Sequence, residues 1–148
     1  MDLASYARTF HKPRGEFDDL IGEEFRRAAV TGWQVGSTYT VEIRLIQFRQ
    51  EEQTAASDAA ENNQYWATHD STRFDAPSDP SVRRWTVPGT ESGMAYVHTR
   101  PEPGRLPQYT AEAYAWRGDV AVEIWVTDTR PIPKAKIMDL ARRQMEQL

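Results

Sequence analysis

A chain of 148 residues, 39% hydrophobic and 11% aromatic, is the size of one domain with one core, and its aromatic content argues against disorder. Eighteen basic against 22 acidic side chains leave a net charge of -4, interspersed rather than gathered on a basic face, which argues against nucleic acid as a partner. The absence of cysteine rules out disulfides, thiolate zinc sites and cysteine nucleophiles, and no run of about 18 apolar residues is present to insert this chain into a membrane.

The first predicted element is a short helix, on the i, i+3, i+4, i+7 spacing of Leu3, Tyr6, Ala7 and Phe10, broken by Pro13 and Gly15. A second helical stripe, Phe17, Leu20, Ile21, Phe25 and Ala28, carries Asp18, Asp19, Glu23 and Glu24 off its apolar face, and its early acids and late Arg26 and Arg27 suit a helix dipole. Gly32 is its expected stop, so residues 1–32 are predicted as a helical N-terminal segment.

Period two takes over from Thr38 to Phe48, with Tyr39, Val41, Ile43 and Leu45 on one face, and predicts a strand. The segment "EEQTAASDAAENNQYWATH", residues 51–69, reads as a helix. Its narrow alanine face, Ala55, Ala56, Ala59 and Ala60, widens to Asn63, Trp66 and Ala67. Residues 71–81, rich in Ser, Asp and Pro, are a surface loop.

Strand patterns follow at "VRRWTV" and "GMAYVHTR", joined by a hairpin connection from Pro88 to Gly93. Two more run from Gln108 to Arg117 and from Val120 to Asp128. The chain closes on a helix with Pro133 in its first turn and a stripe of Ile137, Leu140, Ala141, Gln144 and Leu148. The expected fold is a single α+β domain over residues 1–148: one mostly antiparallel sheet of about five strands, with helices packed on one face and a C-terminal helix.

Arg117, Gly118 and Asp119 spell an integrin-type adhesion signal, but backbone geometry accounts for them. With Gly118 and Asp119 as a two-residue loop, Ala111, Ala113 and Ala115 meet Val126, Ile124 and Val122 on one face, and the aromatic and charged residues fall on the other. Glycine first in such a loop is the type II′ pattern, so no integrin-type recognition is expected. The other face brings Tyr114, Trp116 and Trp125 together across the hairpin. That cluster is either a binding platform or a surface covered by the N-terminal segment or a terminal helix. With His98, which shares a strand face with Met94 and Tyr96, these residues are the candidate binding residues.

No residue is assigned a catalytic or metal-ligating role, and no cofactor is expected. His69 and Asp70 are neighbours without metal spacing. "GTESG", residues 89–93, has the wrong order and the wrong strand context for a nucleophile elbow. The acids Asp18, Asp19, Glu23 and Glu24 read as the wet face of a helix, and spacing alone gives no reason to expect a carboxylate with a shifted pKa.

The last third, "GMAYVHTRPEPGRLPQYTAEAYAWRGDVAVEIWVTDTRPIPKAKIMDLARRQMEQL", has a strand ending in Arg-Pro, a hairpin with "RGDVAVEI", a "TRPI" exit and a helix with "DLARRQMEQL". In these features it resembles exported actinobacterial α+β domains of lipoprotein or sensor-like type, similar in form to the PsbP-like fold. The likeness covers residues 93–148 and lies in structural residues, so it carries over no binding residue. Sensor-like relatives carry disulfide cysteines, and lipoproteins a lipid-attachment cysteine; this chain has neither.

The resemblance implies a non-enzymatic extracytoplasmic binding or interaction domain in the cell envelope, with a protein or envelope ligand as partner and its leader absent from this chain. Two alternatives stand beside it. One is a cytoplasmic immunity or accessory factor whose gene begins at Met1. The other is an enzyme of unrecognised class, with His98 and nearby carboxylates in a site between sheet and helices.

Overall fold

The computed structural model describes residues 1–49, 54–73 and 75–148. Its elements run α1 (Leu3–Ala7), α2 (Pro13–Gly22), β1 (Phe25–Val35), β2 (Tyr39–Phe48), α3 (Ala55–Trp66), β3 (Val82–Thr86), β4 (Met94–His98), β5 (Tyr109–Arg117), β6 (Val120–Asp128) and α4 (Lys134–Glu146). The strands form one sheet in the order β1-β2-β6-β5-β4-β3, with every neighbouring pair antiparallel. Among the described residues the sheet therefore has six strands rather than about five.

The additional strand is β1, in the segment expected to be helical. Pro13 opens α2 rather than separating it from its neighbour, and the helix ends at Gly22. Glu24 then adopts a left-handed φ of 58°, and its carbonyl accepts a hydrogen bond from the Arg49 amide at 2.7 Å. This turns the chain into an antiparallel ladder with β2, from Phe25 opposite Phe48 to Val35 opposite Tyr39. The register steps from Phe25–Phe48 to Arg27–Gln47, which leaves Arg26 as the extra residue of a β-bulge. Phe25 and Ala28, three apart as on a helix, can thus both be buried from a strand. Gly32 lies within β1 opposite Glu42, where a Cβ would sit 3.1 Å from the Val41 carbonyl oxygen.

Helices cover both faces of the sheet rather than one. Ile137, Ala141 and Met145 of α4 pack on Val41, Ile43, Ala111, Ala113, Ala115, Val122, Ile124 and Val126. On the opposite face α1, α2 and α3 pack on Phe25, Ile46, Phe48, Ala121, Tyr96 and Tyr114. The small side chains explain the close approach: Ala56 and Ala60 of α3 are fully buried, as are Ala111 and Ala121 beneath the helices. α3 begins at Ala55 with Thr54 as its N-cap, and the part of the expected helix at residues 51–53 lies outside the described residues.

The β5–β6 hairpin has the expected register, Arg117 opposite Val120, Trp116 opposite Ala121, and outward to Tyr109 opposite Asp128. Gly118 has φ 58°, and Asp119 is not among the residues of positive φ, as a type II′ turn requires. Both flanking side chains are engaged in the fold. Arg117 donates to the Met145 carbonyl at 2.7 Å, near the end of α4, and the Asp119 carboxylate accepts from Gln47 Nε2 at 2.7 Å. The 89–93 segment is likewise a turn: Thr90 Oγ1 donates to the Val87 carbonyl and accepts from the Gly93 amide.

Candidate functional site

The face covered by α1, α2 and α3 collects the polar residues of the central strands. Alternation places Glu42 and Arg44 of β2, Glu123 and Trp125 of β6, and Glu112, Tyr114 and Trp116 of β5 on it, each opposite an aliphatic row on the α4 face. These side chains are connected. The Trp125 indole N–H donates to the Tyr114 hydroxyl at 3.0 Å, the hydroxyl donates to Glu112 Oε2, and Glu112 Oε1 shares a hydrogen bond of 2.5 Å with His98 Nε2.

Three of the four residues singled out from sequence, His98, Tyr114 and Trp125, are thus joined in one chain through Glu112. Trp116 stands apart, packed between α3 and the N-terminal helices. The aromatic cluster is not an open platform: Tyr114 is buried beneath α3, and Gln64 of that helix donates to its carbonyl at 3.1 Å. Burial, and then the neighbouring Glu112, push the Tyr114 hydroxyl pKa well above its ordinary value, so it stays protonated and donates.

Beside this chain, between the α1–α2 pair and α3, is a cleft of about 560 Å³. Glu123 and Trp125 of the sheet, Arg44 of β2, Tyr6 and Phe10 of the α1 region, and Asn63 of α3 line it, with Glu16, Asp18, Asp19 and Glu23 of the α2 region at its side. A second hollow of about 360 Å³ lies farther along the same face, among Thr40, Glu42, Gln108, Thr110 and Thr127, and shares Arg44 and Trp125 with the first.

Glu123 is the buried carboxyl of the cleft, 7% exposed, and accepts a hydrogen bond from Asn63 Nδ2 at 2.7 Å. Burial pushes its pKa up to about 7, and Glu16 and Glu23 push in the same direction, against Arg44 and the Asn63 hydrogen bond. The Arg44 guanidinium lies over the rings of Trp125 and Phe10, 4.9 and 5.0 Å from their centroids, and its Nε–H donates to Glu42 at 2.7 Å. Tyr6, 1% exposed, stacks on Phe25, and its buried hydroxyl faces the Arg44 guanidinium without completing a hydrogen bond of ordinary geometry to it or to any other described residue. Arg44 is near enough to favour the phenolate, but burial dominates and raises the Tyr6 pKa.

Spacing alone gives no reason to expect a carboxylate with a shifted pKa; Glu123 has one because its position in the middle of a buried strand desolvates it. A signal was present: Glu123 and Arg44 interrupt two strands whose other residues are largely apolar, and a charged residue inside such a strand is seldom left without a role. Tyr6 gave no such signal, because its spacing fits an ordinary helix stripe.

No protein-family model and no curated protein matches the sequence. The fold is similar to that of the extracellular domain of PknH from Mycobacterium tuberculosis. The two superpose with a TM-score of 0.51 at 10% sequence identity, over 87% of this chain and 69% of that one. At that identity the likeness is one of fold alone.

Proposed function

We propose that the chain is an extracytoplasmic binding or interaction domain that takes its ligand in the cleft above Glu123 and Trp125. One observation carries the reading: a cavity of about 560 Å³ is lined by a buried carboxyl, Glu123, and by Tyr6, whose buried hydroxyl has no hydrogen-bond partner among the described residues. Buried polar groups are ordinarily satisfied within a fold, so a buried hydroxyl left unpaired beside a cavity suits an incoming ligand. Trp125 contacts the ligand in this reading. Tyr114, through Glu112 and His98 behind it, fixes the indole, and Trp116 supports α3.

The location outside the cytoplasm is supported by the fold shared with an extracellular domain and by the resemblance of residues 93–148 to exported domains. Nitrogen–proton correlation spectra recorded with a panel of small neutral, anionic and cationic compounds test the binding reading. Saturable shifts centred on the Trp125 indole and the Asn63 side-chain amide are expected. Shifts that cluster elsewhere, or no saturable shift from any compound, would overturn it.

A further inference from the structure

The charges around the cleft specify more than a ligand of some kind. Five carboxylates line it against one guanidinium, Arg44, whose charge already meets Glu42. The carboxylates burden one another: Glu16 and Glu23 are each pushed above the ordinary range by burial first and then by neighbouring acids. A cation would relieve that repulsion, and the buried Tyr6 hydroxyl, without a hydrogen-bond partner among the described residues, belongs to the same lining.

Among the described residues no three His, Asp or Glu side chains converge as a metal ion requires. Phe10, Leu20 and Phe48 add apolar surface to the same lining. The guanidinium of Arg44, resting over the Phe10 and Trp125 rings, is an internal example of how this surface accommodates an organic cation.

We infer that the cleft binds a flexible aliphatic diamine or polyamine, with one ammonium group at Glu123 and another along the Glu16–Glu23 side. This rests on the reading of the cleft as a ligand site, and sharpens it. Calorimetric titration of the intact chain with spermidine and cadaverine, beside 1,5-pentanediol as the uncharged isostere of cadaverine and magnesium chloride at matched ionic strength, tests it.

Single-site binding of both amines is expected, with no binding of the diol and no displacement by magnesium. Glu123→Gln, and separately the double variant Glu16→Gln with Glu23→Gln, should each weaken amine binding by about tenfold or more. The second variant changes no residue of the sheet, so a folding defect in the first leaves the proposal testable.

Equal binding of diol and diamine, displacement by magnesium, unchanged affinity in the folded variants, or no amine binding would each overturn the inference. If neutral or anionic compounds shift the Trp125 and Asn63 signals while amines do not, the amine assignment falls and the cleft remains a binding site. If nothing marks the cleft, both fall.

Discussion

Arg44 and Glu123 stand directly opposite each other in the β2–β6 ladder, yet each carries its described side-chain hydrogen bond to another residue: Arg44 donates to Glu42 within its own strand, and Glu123 accepts from Asn63 of α3. A cross-strand pair of opposite charge in that position would ordinarily close on itself. Here the guanidinium is drawn over aromatic rings and the carboxyl is left with a cavity before it, which makes Glu123 the most consequential residue to alter.

The folded protein holds a proton on Glu123 up to about pH 7, while the unfolded chain releases it near 4.5. Between those values the native state binds more protons than the unfolded one, so stability falls as pH rises through that window and levels off above it. The total is up to about 3 kcal/mol for a shift of that size. The charged or polar groups around the carboxyl are Arg44, Glu16, Glu23 and Asn63, with the Tyr6 and Tyr114 hydroxyls. Glu123→Gln keeps an acceptor for Asn63 and removes the proton linkage. Urea unfolding near pH 5 and near pH 8 should show the slope in the parent and a much flatter response in the variant, which gains stability at the higher pH.

Removing the Tyr114 hydroxyl strands two partners at once, the Trp125 indole N–H and Glu112. Tyr114→Phe is expected to destabilise by about 1–3 kcal/mol, in the range for buried groups left unsatisfied. Denaturant unfolding measures that cost. A change in tryptophan emission from the folded variant would report the freed indole.

Gly93 sits where a side chain has no room. A Cβ there would lie 2.5 Å from Thr90 Oγ1 and 2.9 Å from the Ala115 Cβ, so the β3–β4 turn must move away from β5 to admit it. Gly93→Ala should cost about 1–3 kcal/mol, the usual range for overpacking. The thermal midpoint reads it directly, and an unchanged midpoint would show that the turn gives way freely.

The opposite sign is expected at Glu24. Its left-handed backbone is unfavourable for a residue with a side chain, and glycine adopts it without steric cost. Glu24→Gly should therefore stabilise the fold by about 1 kcal/mol, partly offset by the greater freedom of glycine in the unfolded chain. Equilibrium unfolding of the pair of proteins decides the sign.

The strands from β2 onward and the terminal helix were legible because their periodicity is unbroken, and the hairpin register followed from keeping Ala113 opposite Ile124 rather than Glu123. The failure at β1 has a local cause. The bulge at Arg26 places Phe25 and Ala28 three residues apart in a strand, and that spacing imitates a helix joined to the real stripe of Phe17 and Leu20. The second face of helices was missed with it, because Ile46 and Phe48 had no visible partner until α1 and α2 were folded back over β1 and β2.

The cleft was less legible than the fold. Trp125 was found from strand alternation, but the meeting of Tyr6, Arg44, Asn63 and Glu123 joins residues 117 positions apart, from Tyr6 to Glu123, and depends on how three helices settle on one sheet face. Periodicity within a segment assigns a residue to a face; it does not say which residue of another segment will stand above it.

The strict alternation along β5 and β6 also divides the labour of every second codon. Residues 111, 113, 115, 122, 124 and 126 answer to the packing of α4, and their neighbours at 112, 114, 123 and 125 answer to the cleft and its support. Specificity can therefore drift, or be redesigned, by editing one set of letters in these strands while the interleaved set keeps the molecule folded.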